Sequence, residues 1–453
     1  MAAHEKFHYQ DKSQLAAAAK ELGVNLPLGE NTAVLRQSIS LGSKVIPNRL
    51  CIHPMEGCDG EADGKPSELV RRRYRRFAQG GAGLLWFEAT AVVNEGRANP
   101  RQLMINEENR EALKTLLEES LNAAKELHGK DYRPFTVVQL THSGRYSRPS
   151  GKAFPIIACR NPLLDAKLPA DFKVISDEEL ATLEDTYVEA AAIAAEIGFD
   201  AVDIKCCHGY LLAELLSAYD RPGIYGGSFE NRTRFLTNVI AKIKAKLGEK
   251  IEIAVRLNSY DAYAYGWAVD KQEPAKADLT ETKKLVSLLH ENGVRLFNIS
   301  AGNPYYNPHI GRPYDIGSYI PPVNPIEGVA NLLTICKELQ ATVPEAVVIA
   351  TGFSWLRHHG AEVAAGGVET GWFKMAGFGR QAFAYPDFAK DILENGAMDQ
   401  SKICIACSKC TAIMRDGGRA GCVPRDAAIY VPIYREVREG KPVFESKVVA
   451  EHV

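Results

Sequence analysis

Residues 177–205 read DEELATLEDTYVEAAAIAAEIGFDAVDIK. Asp177 and Glu178 favour a helix start and Gly198 supplies a stop. DAVDIK (200–205) then reads as a short strand of the kind buried on both faces. The same alternation extends in both directions. Further strand-like runs are LCIHP (50–54), GLLWFEA (83–89), FTVVQL (135–140), IEIAVRL (251–257), RLFNIS (295–300), AVVIAT (346–351) and TGWFKMA (370–376). Helical patterns cover 67–79, 107–128, 231–246, 279–292, 325–340, 354–365 and 382–395. Eight strands, each followed by a helix, predict an α/β fold of the (β/α)8 TIM-barrel type.

Three departures from a minimal barrel set the organisation. Residues 1–45 form an N-terminal extension with one helix around Ser13–Leu22. The barrel occupies 46–398, and 399–453 hold a short cysteine-rich segment and a C-terminal tail. Two long loops, 141–176 and the tyrosine-bearing SAGNPYYNPHIGRPYDIGSYIPP (300–322), leave the C-terminal ends of the third and sixth strands. Loops of that length in a compact barrel are usually functional, and these are expected to build one side of an active site.

Composition excludes several classes. With 54 Lys and Arg against 56 Asp and Glu, the net charge of -2 gives no field that would gather nucleic acid or an anionic membrane. The basic run RRRYRR (71–76) lies on the first barrel helix and reads as a solvated outer face. No apolar run approaches the roughly 18 residues of a membrane span, and the opening MAAHEKFHYQDKSQLAAAAKELG lacks a signal-peptide core. The expectation is a cytoplasmic enzyme.

Barrel enzymes draw their chemistry from strand C-termini. Those positions give Pro54, Met55 and Glu56; Ala89; Gln139 with His142; Lys205 with His208 and Tyr210; Arg256; Ser300; Gly352; and Gly379 with Arg380. Glycines after strands seven and eight are where a barrel exposes backbone N–H groups to a phosphate, and Arg380 adds a cation there.

Four of the ten cysteines crowd together as CIACSKC (404–410) and Cys422. Three cysteines spaced by two and a distant fourth suit a [4Fe–4S] cluster held by Cys404, Cys407, Cys410 and Cys422, with zinc as the alternative.

The run DAVDIKCCHGYLLAELLSAYDRPGIYGGSFENRTRF (200–235), together with QLTHSGR (139–145), GFGRQ (377–381) and Pro386-Asp387, resembles the old yellow enzyme family. The resemblance is closest to the branch of 2,4-dienoyl-CoA reductase and trimethylamine dehydrogenase, and it covers about residues 35–425. It implies a barrel that binds FMN. His53 to Glu56 and Ala89 would line the isoalloxazine, Gln139 would bond its pyrimidine edge, and Arg256 would lie near N1. Gly352, Phe353, Gly379 and Arg380 would hold the phosphate. The resemblance also casts His208 as hydrogen-bond donor to a substrate carbonyl and Tyr210 as proton donor. Lys205 stands where many ene-reductases carry a histidine; it either faces an anionic substrate group or is buried in a pair with an acid such as Glu56. Cys206 and Cys207 read as packing.

The function expected is transfer of hydride from reduced flavin to an activated C=C bond. Amine oxidation or demethylation, and an FMN and iron–sulfur electron-transfer subunit, are the alternatives. Only about thirty residues follow Cys422, and no GxGxxG follows a strand. This sequence is therefore expected to take electrons from NAD(P)H bound over the flavin or from a partner protein. A homo-oligomer is compatible with it.

Overall fold

The computed structural model describes residues 5–315 and 317–440, so the end of the expected tail lies outside the described residues. Eight parallel strands close a barrel: β1 Leu50–Ile52, β2 Leu84–Ala91, β3 Phe135–Thr141, β4 Ala201–Ile204, β5 Glu252–Asn258, β6 Leu296–Ser300, β7 Val347–Ala350 and β8 Met375–Phe378. Neighbours in space are neighbours in sequence, and β8 pairs back onto β1 through Ala376 and Leu50. Outside lie α1 Glu68–Gln79, α2 Arg110–His128, α3 Asp177–Ile197, α4 Phe229–Leu247, α5 Thr280–Glu291, α6 Pro325–Thr342, α7 Gly360–Glu369 and α8 Phe388–Asn395.

Local chemistry sets the helix ends. Ser67 Oγ accepts from the Val70 N–H at the start of α1. Ser176 and Glu179 form a reciprocal capping box on α3, which stops at Gly198 with φ 103°. Asn324 caps α6, with Pro325 in the first turn.

The eighth strand corrects the expectation: 370–376 is not the strand, and the pairing begins at Met375. Gly371 turns at φ 72°, and Phe373 packs against Phe353 and the backbone of Gly367. An apolar helix-to-strand connection looks like a strand when only its hydrophobicity is read. The expected helix at 354–365 is likewise displaced to α7, behind a short turn at Phe353–His359.

A hairpin, Ile39–Leu41 paired with Lys44–Ile46, closes the amino-terminal end of the barrel. Ile39, Leu41 and Ile46 join the inward-facing Leu84, Trp86, Phe135, Val137, Leu296 and Met375 in one buried cluster. The cysteine segment packs on the outside of α1. There Leu69 meets Ile413, Val423, Ile429, Tyr430, Ile433 and Val437, and burying each large aliphatic chain contributes about 1.5–3 kcal/mol.

The basic run on α1 is not a solvated face. Arg73 is buried in ion pairs with Asp59 and Glu88, Arg72 and Arg76 both bind Asp426, and Arg71 and Arg75 pair with Glu119 and Glu68. Among the described residues, no helix is long and apolar enough to cross a membrane.

Candidate active site

The carboxyl ends of the strands converge on one hollow. Its lining includes His53, Pro54 and Met55 after β1, His208 after β4, Arg256 on β5, Ser300 at the end of β6, Gly352 after β7, and Gly379 and Arg380 after β8. Strand register delivers them: Arg256 sits opposite Asn298, and Asn298 in turn bonds His53 Nδ1 at 3.1 Å.

Several polar groups at this mouth are buried without a partner: Arg256 Nε, His53 Nε2 and Arg380 Nη1. A buried donor left unpaired costs about 1–3 kcal/mol, so the two guanidiniums at this hollow, beside an imidazole that burial keeps neutral, are what an anionic ligand would satisfy. The backbone makes room for such a ligand. Gly352 opens the Phe353–His359 turn at φ 108°. At Gly377 a side-chain carbon would collide with the His53 ring. The residues present fit a phosphate-bearing, partly anionic group such as FMN.

His208 and Gly209 both take left-handed φ, at 67° and 68°, which folds the chain back after β4 and leads through Tyr210 into the short helix Leu211–Leu216. His208 Nε2 lies 3.1 Å from Ser300 Oγ. Burial, reinforced by Arg256 and Lys205, holds its imidazole well below the ordinary histidine range, so it is neutral. Burial, with Tyr305 and Glu56 adding to it, holds the Tyr210 phenol well above the usual range and therefore protonated.

Lys205 is 4% exposed, and its ammonium stands 3.8 Å from the centre of the Tyr210 ring. It forms no ion pair with Glu56. That carboxylate instead accepts from Asn99 Nδ2 at 2.7 Å and lies 3.8 Å from the Cys58 thiol. Of the two readings of Lys205, the pair with Glu56 gives way to a cation over an aromatic face.

The remaining candidates, like Glu56, Lys205 and Tyr210, stand around the hollow rather than in its lining. Gln139 on β3 donates to Asp203 at 2.5 Å, as does Trp86 at 3.0 Å, while the Arg256 N–H reaches the other Asp203 oxygen at 2.6 Å. Burial raises the Asp203 carboxyl to about 6 against those three donors. Ala89 is buried on β2, where its carbonyl accepts from Gln102. Phe353 stacks on Phe378 at 5.2 Å beneath the Gly352 turn.

Arg312, which the strand-end reading missed, also lines the hollow and donates to Thr411 Oγ1 at 2.8 Å. Burial and the neighbouring Arg380 pull its guanidinium down to about 10. Its one sequence signal was a basic residue inside the long sixth loop.

Cys404, Cys407, Cys410 and Cys422 line a second, smaller hollow together with Arg380 and Phe383. Cys404 and Cys422 are buried, Cys410 is half-buried and Cys407 is exposed. Ala406 and Ser408 take left-handed φ, at 51° and 59°, and the Ala406 N–H points at Cys404 Sγ at 3.4 Å. Among the described residues, no three His, Cys, Asp or Glu side chains are placed to hold a single metal ion.

These features describe a (β/α)8 barrel with unpaired cationic groups gathered at its mouth, suited to an anionic ligand. The sequence profile of the NADH:flavin oxidoreductase / NADH oxidase family matches residues 35–399, and the chain belongs to that family. Flavin and a reduced nicotinamide dinucleotide are the cofactors that membership carries. An NADH:flavin oxidoreductase of Gibberella zeae is 29% identical over 283 residues, covering 58% of this chain and 66% of that protein. An NADPH dehydrogenase of a Geobacillus species is 33% identical over 267 residues, covering 57% and 69%. Among solved structures, 2-naphthoyl-CoA reductase with 2-naphthoyl-CoA superposes with a TM-score of 0.70 at 19% identity, over 90% of this chain and 58% of that one. The old yellow enzyme homologue of Zymomonas mobilis superposes with a TM-score of 0.61 at 22% identity, over 81% and 94%. These two likenesses show the fold. The chain spans less than two thirds of the Gibberella protein and of the naphthoyl-CoA reductase.

Proposed function

We propose that the chain is an FMN-dependent ene-reductase that saturates a C=C bond conjugated to a carbonyl. FMN bound at the mouth would supply hydride to the β-carbon. The observation that carries the reading is the pairing, at one strand exit, of a neutral imidazole and a protonated phenol. His208 polarises the carbonyl oxygen with an N–H, and Tyr210 gives a proton to the α-carbon. Arg256, Gly352, Gly379 and Arg380 would hold the flavin, with Pro54, Met55, Glu56, Ala89, Gln139 and Phe353 framing it. Lys205 acts through Tyr210 as a positioning residue: its cation over the ring face holds the ring in place, a contact worth about 2 kcal/mol when desolvated. The fixed cations Arg256 and Lys205 speak against a cationic amine substrate.

Cys404, Cys407, Cys410 and Cys422 would bind a [4Fe–4S] cluster. A single zinc needs all four sulfurs at about 2.3 Å, whereas a four-iron cube holds its thiolates farther apart. Four cysteines around a common hollow, three of them spaced by two and the fourth distant, support the cube. In this reading 46–398 form the flavin unit and 399–453 the cluster segment and tail.

A second reading, electron delivery by a partner protein, is favoured by one observation. Exposed Cys407 lies in a hollow of about 630 Å³ whose lining sets Lys6, Arg312, Arg357, Lys409, Arg415 and Arg438 against Asp315 and Asp416. An acidic electron carrier would be drawn there. The test is anaerobic stopped-flow with the flavin-loaded protein. Tyr210→Phe is expected to leave reduction by NADH or NADPH intact and to slow reoxidation by an enone about 10² to 10⁴-fold. Equal losses in both half-reactions would remove the proton-donor role.

A further inference from the structure

The two long loops meet above Tyr210. Tyr146, from the loop after β3, stacks on Tyr305, from the loop after β6, with ring centres 3.8 Å apart and 13° between planes. One amide sets both rings: Asn303 Nδ2 donates to the Tyr146 hydroxyl at 2.8 Å, and Asn303 Oδ1 accepts from the Tyr305 N–H at 2.9 Å. The Tyr305 hydroxyl is thereby held 3.0 Å from the Tyr210 hydroxyl. Tyr210 is 4% exposed; Tyr305 is 44% exposed as a residue, while burial around its hydroxyl, beside Tyr210, holds that phenol above the usual range as well.

A buried proton donor has to be reloaded after every turnover. Lys205 lies over the face of the Tyr210 ring and makes no hydrogen bond to its oxygen, and Glu56 bonds Asn99. Among the described residues, the Tyr305 hydroxyl is the hydrogen-bond partner of the Tyr210 hydroxyl.

We propose that Tyr305 is the relay through which Tyr210 recovers its proton from solvent. The inference rests on the ene-reductase reading and adds a residue that the reading does not need for its first turnover. The Tyr210 O–H bond breaks as the C–H bond forms at the substrate α-carbon, leaving a phenolate. The Tyr305 O–H proton then moves to that oxygen, and a solvent water or buffer acid protonates Tyr305. One solvent proton is consumed per C=C bond reduced, and both tyrosines end unchanged. Two phenols 3.0 Å apart exchange a proton between like groups within hydrogen-bond reach.

The test uses the flavin-loaded protein with Tyr305→Phe, which keeps the ring on Tyr146 and removes only the hydroxyl. Reoxidation of the dithionite-reduced protein by 2-cyclohexen-1-one is followed in a single turnover and at steady state, with increasing imidazole buffer. The expected result is a first turnover within about 2-fold of the parent, and steady-state turnover lowered about 10-fold and restored in proportion to imidazolium. A first turnover slowed as much as steady state, or no response to buffer acid, overturns the relay while leaving the ene-reductase reading in place. Tyr210→Phe, run alongside, is expected to lose the first turnover. If it does not, or if the parent reoxidises with neither this enone nor a panel of enoates, the ene-reductase reading itself fails.

Discussion

The mouth of the barrel and the cysteine segment hold their candidate ligand groups by opposite means. At the mouth, position comes from the sheet: Arg256 is opposite Asn298 by strand pairing, and Gly377 and Gly379 follow from β8 lying against β1. The cysteine segment has no strand among its described residues, and a few ties fix it to the barrel. Arg72 and Arg76 grip Asp426, the Ala420 N–H reaches the Gly57 carbonyl, and seven side chains form its small apolar cluster. A ligand site built on strands is therefore expected to outlast its ligand, whereas one built on loops depends on it.

That contrast can be broken by experiment. The largest effect is expected from Cys410→Ser: iron and sulfide content should fall to the background level while flavin content stays at that of the parent. Loss of both together would show that the two regions are one cooperative unit.

Next comes His142, at the exit of β3, whose imidazole is pushed down to about 4 by burial. A folded-state value below the unfolded one adds stability above the ordinary histidine range. That stability is lost as pH falls from about 6.5 through about 4, at about 1.4 kcal/mol per unit. His142→Asn keeps an acceptor for the Gly144 N–H and removes the titration. Its urea midpoint should decline less than the parent's across that window, and an unchanged decline would free His142 of this role.

Arg380 lines both hollows. Arg380→Gln should weaken FMN binding about 10- to 100-fold by equilibrium titration, in line with the loss of one charge-assisted bond. If iron content falls in step, the residue serves the segment as much as the mouth.

The smallest effect is expected at Asp426, which is partly screened by water. Asp426→Asn should cost about 1 kcal/mol. It should speed amide exchange in Ala427–Arg438 several-fold while leaving α3 unchanged. Equal acceleration in α3 would mean that the segment supports the barrel as a whole.

Most of the barrel was legible because period and punctuation coincide: α3 begins after Ser176 and ends at Gly198 where the residues say it should. The eighth strand slipped because Trp372 and Phe373 are apolar for packing behind α7, not for the sheet. The mouth residues were legible by position, since strand ends are where a barrel puts its chemistry. What Lys205 touches was not, because a lysine's partner is set by the side chain it meets across space, here Tyr210. Arg72 and Arg76 of α1 were misread for the same reason, their Asp426 partner lying about 350 residues along the chain. Cysteine spacing announced the second hollow. Nothing in the spacing foretold that Arg380 would stand between it and the first.

The hairpin that stoppers the lower end of the cylinder also governs traffic. With Ile39, Leu41 and Ile46 wedged into the staves, the described residues leave the hollow to be reached from the carboxyl ends of the strands. In the proposed ene-reductase a nicotinamide and an alkene would compete for that opening, so initial-rate plots should run parallel and excess alkene should slow its own reduction. A donor that delivers electrons sideways past Cys407 would need no turn at the door, and that slowing by excess alkene would then vanish.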